Sequence, residues 1–259
     1  MIHRASWERK AQLAVVLLCA LALKQFYSAA SVNELRWILA PTTLAVELVS
    51  GSRFAFESYS GYVKSDHTFV IAGSCAGVNF LITAFLLLAL GSLWRNRSRR
   101  TGWRFLPIAA GCAYVATIVA NTVRITTALQ LHGKGLELAG LSPNEFHRLQ
   151  GIFIYFGFLL LLYLVTERLS NKAAGREALI DSSSSPAFQA HLLQKSLFPL
   201  AIYYVTTLGV PFANAVVQRG VVTGDFWSHA RFVLLAPLVV LVPVATLHFI
   251  RSRRCSPSA

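Results

Sequence analysis

The chain has 259 residues, of which 55% are hydrophobic and only 14% are charged. A single soluble core could not bury so much apolar surface, so the composition excludes an ordinary soluble domain and indicates an integral membrane protein. The net charge of +13 does not indicate nucleic-acid binding, because the basic residues separate apolar segments instead of forming one patch. The four cysteines lie in different segments without CxxC spacing, so we expect no metal, no cofactor and no disulfide framework.

Six apolar runs are long enough to cross a bilayer, since a hydrocarbon core of about 30 Å requires roughly 20 helical residues. They cover residues 11–30, 75–94, 105–128, 146–165, 197–217 and 230–250. The sequence therefore predicts an all-α, polytopic bundle of about six transmembrane helices. The first run follows a basic head that resembles a signal peptide, but we expect it to be retained as a helix.

The basic residues indicate the orientation of these helices. With six spans, fifteen of the 24 Lys and Arg residues lie on the side of the two termini, so the positive-inside rule places both termini in the cytoplasm. Residues 35–50 are apolar but short, and a crossing there would export the arginine cluster at 95–100. We therefore predict an interfacial helix, preceded by the capping-box pattern Ser31-x-x-Glu34.

The remaining segments suggest how the chain is divided. Residues 51–72 are predicted to form an irregular or hairpin-like loop on the outer side. The polar segment 171–195, which contains four consecutive serines, is predicted to be a cytoplasmic linker. It separates a catalytic membrane core, residues 1–170, from a C-terminal pair of transmembrane helices with a basic tail, residues 196–259.

Cys75 is the first candidate catalytic residue. It lies between Gly73 and Gly77, in the predicted first turn of a helix that starts at the outer face. A helix N-terminus carries partial positive charge and so favours the thiolate, the form of cysteine that attacks carbonyl carbons. Taken alone, however, such a cysteine is more often a small buried apolar residue.

Arg124 is the second candidate, near the predicted outer end of its helix and one turn after Asn121 on the same face. A guanidinium is costly in lipid and usually faces protein or water. It could stabilise an oxyanion or hold a carboxylate, or it could extend to the lipid headgroups. Both interpretations remain open for Arg124 alone, and Asn121 is expected to support the same site.

His147 is the third candidate. Ser142 and Pro143 fit a helix N-cap followed by proline at the first helical position, so the imidazole is expected within about two turns of the outer end. There it can exchange protons with a thiol and a leaving amine, or it can be an interfacial histidine with local bonds only. Asn79, one turn after Cys75, is a further supporting residue. Other polar residues predicted on the outer side are His132, Asp225 and His229.

Three motifs taken together resemble the exosortase/archaeosortase family. They are Gly-Ser-Cys-Ala-Gly-Val-Asn-Phe at 73–80, Asn-Thr-Val-Arg at 121–124, and His147 at the start of the next helix. The resemblance covers about half of the chain, and the segment at 35–41 is most similar to the exosortase K group. An ordered Cys, Arg and His on successive helices is more specific than any one of the motifs.

The resemblance implies a multi-pass enzyme of the bacterial inner membrane with its active site facing the periplasm. Its partner would be an exported protein that ends in a short sorting motif, a transmembrane helix and a basic tail. By matching motif, Cys75 would be the nucleophile, His147 the acid/base and Arg124 the stabiliser of substrate or oxyanion. The new C-terminus would pass to an amine or lipid acceptor that the sequence does not identify.

Two other functions remain open on the residues alone. One is a non-enzymatic bundle, such as a transporter component or an assembly factor for an exported polymer, in which Arg124 binds an anionic ligand. The other is a membrane acyltransferase whose Cys75 carries a lipid acyl group. A cysteine protease or transpeptidase that forms a thioester accounts best for three such residues at one predicted depth.

Overall fold

A computed structural model describes residues 2–95, 102–132, 143–173, 196–219, 226–227, 230–239 and 241. Five helices in these ranges are long and apolar enough to cross a membrane. By length and composition they indicate a multi-pass helical protein, as predicted. A shorter apolar helix, Ala230–Val239, begins where the sixth span is predicted, and most of the remainder of that span lies outside the described residues.

The helices alternate with one small sheet. In chain order they are α1 Ile2–Ala29, α2 Arg36–Ser50, α3 Val78–Arg95, α4 Phe105–His132 and α5 Pro143–Ala173. Helix α6 covers residues 196–219 and contains a π-helical segment, Val205–Gly209; Ala230–Val239 is α7. The chain forms two compact units, Met1–His147 and Arg148–Ala259. Most of the predicted linker, residues 174–195, lies outside the described ranges.

Helix α3 is central to the first unit, because α1 and α4 both pack against it. The Arg9 guanidinium at the start of α1 donates to the Leu93 carbonyl near the end of α3, at 3.0 Å. At the other end of α1, the Lys24 ammonium donates to the Asn79 side chain at the start of α3, at 2.8 Å. The two helices are therefore antiparallel and joined near both ends.

Helix α2 corresponds to the predicted short helix, and its 15 residues are fewer than a crossing requires. Its packing partner is α4. There the Tyr114 hydroxyl donates to the Trp37 carbonyl at 2.7 Å, and the two rings stack 5.8 Å apart. The side chains buried on the inner face of α2 follow helical spacing: Ile38, Leu39, Thr42, Thr43 and Val46.

Ser31 and Glu34 form the contacts of the predicted capping box. The Ser31 N–H and hydroxyl both donate to the Glu34 carboxylate at 2.7 Å, and the Glu34 N–H donates back to the hydroxyl at 3.4 Å. These bonds to Ser31 hold the pKa of the Glu34 carboxyl below its usual range, because they favour its charged form. Helix α2 itself begins at Arg36, and its N-cap residue is Leu35, which makes no side-chain capping bond. The Ser31–Glu34 contacts therefore close the turn before α2 and do not cap the helix itself.

The segment between α2 and α3 forms a three-stranded antiparallel sheet. Its strands are β1 Phe54–Glu57, β2 Gly61–Lys64 and β3 Val70–Ile71, in that spatial order. The prediction of an irregular loop is therefore wrong, although its hairpin-like alternative describes β1 and β2. Strands of two to four residues are too short to show a clear alternation of polar and apolar residues in sequence.

The second unit has an apolar core of its own. The Phe156 and Tyr203 rings meet edge to face at 5.6 Å. The neighbouring Tyr204 hydroxyl donates to the Leu234 carbonyl at 2.9 Å. Helices α5, α6 and α7 contribute the buried residues of this core, which are Ile152, Phe156, Tyr203, Val233 and Ala236.

Candidate functional site

Cys75 ends a 3₁₀ turn, Gly73–Cys75, that connects β3 to α3. Because α3 begins only at Val78, Cys75 precedes the helix instead of lying in its first turn as predicted. The reason is Gly77, whose φ of +71° is incompatible with a right-handed helix. The Cys75 thiol is free and partly exposed, so it is open to a reagent or a substrate.

Asn121 of α4 holds the backbone of Cys75. Its side-chain amide donates to the Cys75 carbonyl, and the residue is completely buried. Gly77 lies against this contact, because a Cβ there would come within 3.2 Å of Asn121 Nδ2 and 3.3 Å of Thr117 Cγ2. The structure thus places Asn121 next to Cys75, in contact with its carbonyl group.

Arg124 of α4 and His147 of α5 are in direct contact. Arg124 Nη2 lies 3.1 Å from His147 Nε2, although the two residues are 23 positions apart. A guanidinium has donors only, so Nε2 accepts this hydrogen bond and the ring proton is on Nδ1. The contact therefore defines a neutral imidazole in the Nδ1–H tautomer.

The depth of Arg124 in its helix differs from the prediction. Helix α4 continues past the expected end to His132, so Arg124 lies about two turns inside the helix end. A guanidinium at such a position must face protein or water, since lipid cannot solvate it. Its contact with His147 satisfies part of that requirement.

Two residues of α1 that belong to none of the three motifs also lie at this site. The Tyr27 hydroxyl is within electrostatic range of both the Cys75 thiol and the Arg124 guanidinium. Lys24, one turn earlier, donates to Asn79 Oδ1 at 2.8 Å, and its ammonium lies 5.7 Å from the centre of the Tyr27 ring. A lysine inside an apolar span is the signal that could have identified this face of α1, because such a residue usually faces protein.

The thiol and the imidazole are related only indirectly, through Tyr27 and Arg124, and are not bonded to each other. Within the described part of the chain, no hydrogen bond joins Cys75 Sγ to His147. Tyr27 interacts electrostatically with Cys75 and Arg124, and Arg124 contacts His147. The five-residue set of Cys75, Arg124, His147, Tyr27 and Lys24 is called the thiol cluster below.

The other polar candidates lie wholly or partly outside what the structure describes. His132 is the last residue of α4, whereas Asp225 and His229 lie outside the described residues. Cys19 and Cys112 are exposed on α1 and α4. Among the described residues, no three His, Cys, Asp or Glu side chains come together in a way that could hold a metal ion.

The thiol cluster lies at one end of the first unit, where α1 ends and α3 and α5 begin. Fold and cluster together indicate a helical protein of the multi-pass type that carries a free cysteine and an arginine–histidine pair in its first unit. Comparison of the chain with protein-family models, curated proteins and solved structures gives no match. The resemblance to exosortases therefore rests on the sequence motifs alone.

Proposed function

We propose that the chain is a membrane-embedded cysteine protease or transpeptidase that cleaves C-terminal sorting signals of exported proteins at the outer face of the inner membrane. The observation that carries this proposal is the 3.1 Å contact between Arg124 and His147. It brings a cation and an acid/base group from two helices to the end of the unit where the free Cys75 thiol lies. These are the three groups that thioester chemistry needs.

In the proposed reaction, the Cys75 thiolate attacks the carbonyl carbon of the scissile peptide bond. A carbon–sulfur bond forms, and the carbonyl oxygen takes the negative charge, which the Arg124 guanidinium stabilises. The carbon–nitrogen bond then breaks, and His147 returns the proton it took from the thiol to the leaving amine. An amine acceptor or water attacks the resulting thioester and releases the thiol.

The resting contact between Arg124 and His147 has to open during this reaction. The Nε2 lone pair is the one proton-accepting position of the neutral ring, and the guanidinium occupies it. A developing oxyanion competes for the same guanidinium donors, because a charged acceptor binds them more strongly than an imidazole does. As negative charge builds up on the carbonyl oxygen during attack, the guanidinium would thereby leave Nε2, and His147 would take the thiol proton in the same step.

The ends of the helices suit the proposed substrate. A sorting signal with its own transmembrane helix presents the residues next to that helix at the membrane boundary, and the thiol cluster lies at helix ends. Membrane lipid and an amine or lipid acceptor are the further partners of the proposed reaction. Substrate candidates are therefore exported proteins from the same genome that end in a motif, an apolar helix and basic residues.

The test is processing of such a substrate by variants of single residues. Cys75→Ala and His147→Ala are expected to abolish processing, and Arg124→Gln is expected to slow it at least about a hundredfold through loss of oxyanion stabilisation. The matched control is Cys112→Ala, which removes an exposed thiol from α4 and should leave the rate unchanged. Normal processing by Cys75→Ala would exclude Cys75 as the nucleophile.

The same variants separate the competing functions. A transporter component or an assembly factor predicts that Cys75→Ser stays active while Arg124→Gln does not, whereas the proposed enzyme loses activity in both. For the acyltransferase, mass spectrometry of the group trapped on Cys75 would show a lipid acyl chain. The proposed enzyme predicts a peptide at that position.

A further inference from the structure

We propose that Lys24 is a positioning residue for Cys75, which holds the start of α3 through Asn79 and makes the surroundings of the thiol positively charged. This inference rests on the proposed function, because it assigns Lys24 to the same nucleophile. Its geometric basis is the 2.8 Å hydrogen bond from Lys24 Nζ to Asn79 Oδ1. Asn79 lies in the first turn of α3, so the ammonium is held at the start of the helix that directly follows the turn carrying Cys75.

The location of Lys24 argues against a purely structural role. Arg9 forms the corresponding contact at the other end of α1, where it binds the Leu93 carbonyl near the C-terminus of α3. A cation is favourable there, because the helix dipole is negative at that end. Lys24 lies at the N-terminal end of α3, where the dipole opposes a cation, and it is half-buried within an apolar span.

A cation in such a place is stabilised by a neighbouring anion. Three described acidic residues between α1 and α3 have other partners: Glu34 binds Ser31, Glu47 accepts from the Phe54 N–H, and Asp66 pairs with Lys64. A fourth, Glu57, is exposed on β1. The contacts of Lys24 within the described residues are with Asn79 and Tyr27. The thiolate of Cys75 is the anion that the proposed chemistry would place at this end of the unit.

The charged and titratable groups around the thiol come from every helix that meets there. Helix α1 contributes Lys24 and Tyr27, and α4 contributes Arg124. Helix α5 contributes His147, which its contact with Arg124 keeps neutral, and Glu145 two positions before it, which has interactions of its own. Among the groups just named, Lys24 and Arg124 are the cations that could favour an anion at Cys75.

The experiment measures alkylation of Cys75 in the full chain in lipid nanodiscs, with Cys19, Cys112 and Cys255 replaced by alanine. Neutral iodoacetamide and anionic iodoacetate are compared at pH 7.5, because the ratio of their rates reports local charge and cancels differences in thiol exposure. Lys24→Gln keeps a donor for Asn79 but removes the charge. It should lower the iodoacetate-to-iodoacetamide ratio at least about threefold, since screening reduces but does not remove the attraction.

Three further variants complete the design. Lys24→Arg should keep the wild-type ratio, and so should Lys64→Gln, which removes a lysine from the outer sheet. Asn79→Asp retains the contact with Lys24 but neutralises its charge, so it should reproduce the effect of Lys24→Gln even if that variant does not fold. An unchanged ratio in either folded variant, Lys24→Gln or Asn79→Asp, would overturn the inference.

Failure of this inference is distinguishable from failure of the proposed function. Alkylation requires no substrate, so an unchanged ratio removes the role of Lys24 while leaving the processing test of Cys75→Ala untouched. Normal processing by Cys75→Ala, in contrast, would show that Cys75 is not the nucleophile. A cation near Cys75 would then have no role in the reaction.

Discussion

At the residue scale, the contact between Arg124 and His147 has the most direct chemical consequence. A histidine that accepts a hydrogen bond from a guanidinium cannot also be protonated at that nitrogen. The ring therefore starts as a neutral imidazole whose basic nitrogen is covered, and its use as a base depends on where the guanidinium goes. The contact therefore couples His147 to Arg124 before any substrate arrives.

The tautomer of His147 is directly measurable. We expect ¹⁵N NMR of histidine-labelled protein near neutral pH to show a protonated Nδ1 and an unprotonated Nε2 for this residue, assigned by its absence in His147→Gln. In Arg124→Gln the side chain no longer requires Nε2 to be an acceptor, because an amide can accept as well as donate. The Nε2–H tautomer of His147 should therefore appear. A protonated Nε2 in the wild-type protein would contradict the contact.

Asn121 gives a second prediction at this scale, on stability. Asn121→Ala removes the side chain that donates to the Cys75 carbonyl, and an unsatisfied buried acceptor costs about 1–3 kcal/mol. The unfolding free energy should fall by that amount, with slower processing. The control is Thr122→Ala. The Thr122 hydroxyl donates to the Ile118 carbonyl of its own helix, so this variant should lose less unfolding free energy. Equal unfolding free energies for the two variants would argue against the role of Asn121 in holding Cys75.

At the element scale, the position of Cys75 depends on a break before the helix. Gly77 has a left-handed backbone, so the chain makes a 3₁₀ turn before α3 begins. The turn leaves Cys75 outside the helical hydrogen-bond ladder, while Asn121 of the neighbouring helix holds its carbonyl. A regular helix through this segment would bury the Cys75 carbonyl in the ladder and remove that contact.

Substitution of Gly77 tests this arrangement. Gly77→Ala should lower the unfolding free energy by about 1–2 kcal/mol, because a left-handed conformation is strained for any residue with a Cβ. It should also change the alkylation rate of Cys75, since the new Cβ crowds Asn121. The control is Gly111→Ala, where a Cβ meets nothing within 4 Å and alanine in the helix should be neutral or stabilising. Equal behaviour of the two variants would contradict the proposed break.

The capping box before α2 predicts a pH dependence of stability. Because its folded-state pKa lies below the usual value of 4.5, Glu34 contributes stability above that value, and the contribution is lost as the pH falls through the folded pKa. Thermal unfolding of wild type and Glu34→Gln should therefore differ at pH 6 and converge at low pH. Ser31→Ala should behave in the same way, and a difference that grows as the pH falls would contradict the assignment.

At the scale of the whole molecule, function depends on which side of the membrane the thiol cluster faces. The ends of α1 and the starts of α3 and α5 share one side, and the sheet between α2 and α3 lies in the same outer segment. The positive-inside rule predicts that this side is the exterior. A sorting enzyme must have its nucleophile on the exterior, so the proposed function requires this topology.

Cysteine labelling decides the topology. In an otherwise cysteine-free chain, Tyr59→Cys should react with a membrane-impermeant maleimide in intact spheroplasts, because Tyr59 is 98% exposed in the turn of the sheet. Ser182→Cys, in the serine-rich segment, should react only after permeabilisation. The opposite pattern would reverse the orientation and place the thiol cluster in the cytoplasm.

Composition and hydropathy by themselves determined the class of this protein, because a run of about 20 apolar residues is a local property that needs no knowledge of neighbours. The same holds for the capping box at Ser31 and for the start of α5 at Pro143, which depend on residues a few positions apart. Local motifs also singled out Cys75, Arg124 and His147 as candidates.

Only the tertiary structure decided how these candidates meet. The contacts of Lys24 with Asn79, Asn121 with Cys75, and Arg124 with His147 span 55, 46 and 23 residues. Such pairs are set by how helices pack side by side, which no periodicity along one helix reveals. Length and apolarity place a helix in the membrane, but lateral packing determines which of its polar residues share a site.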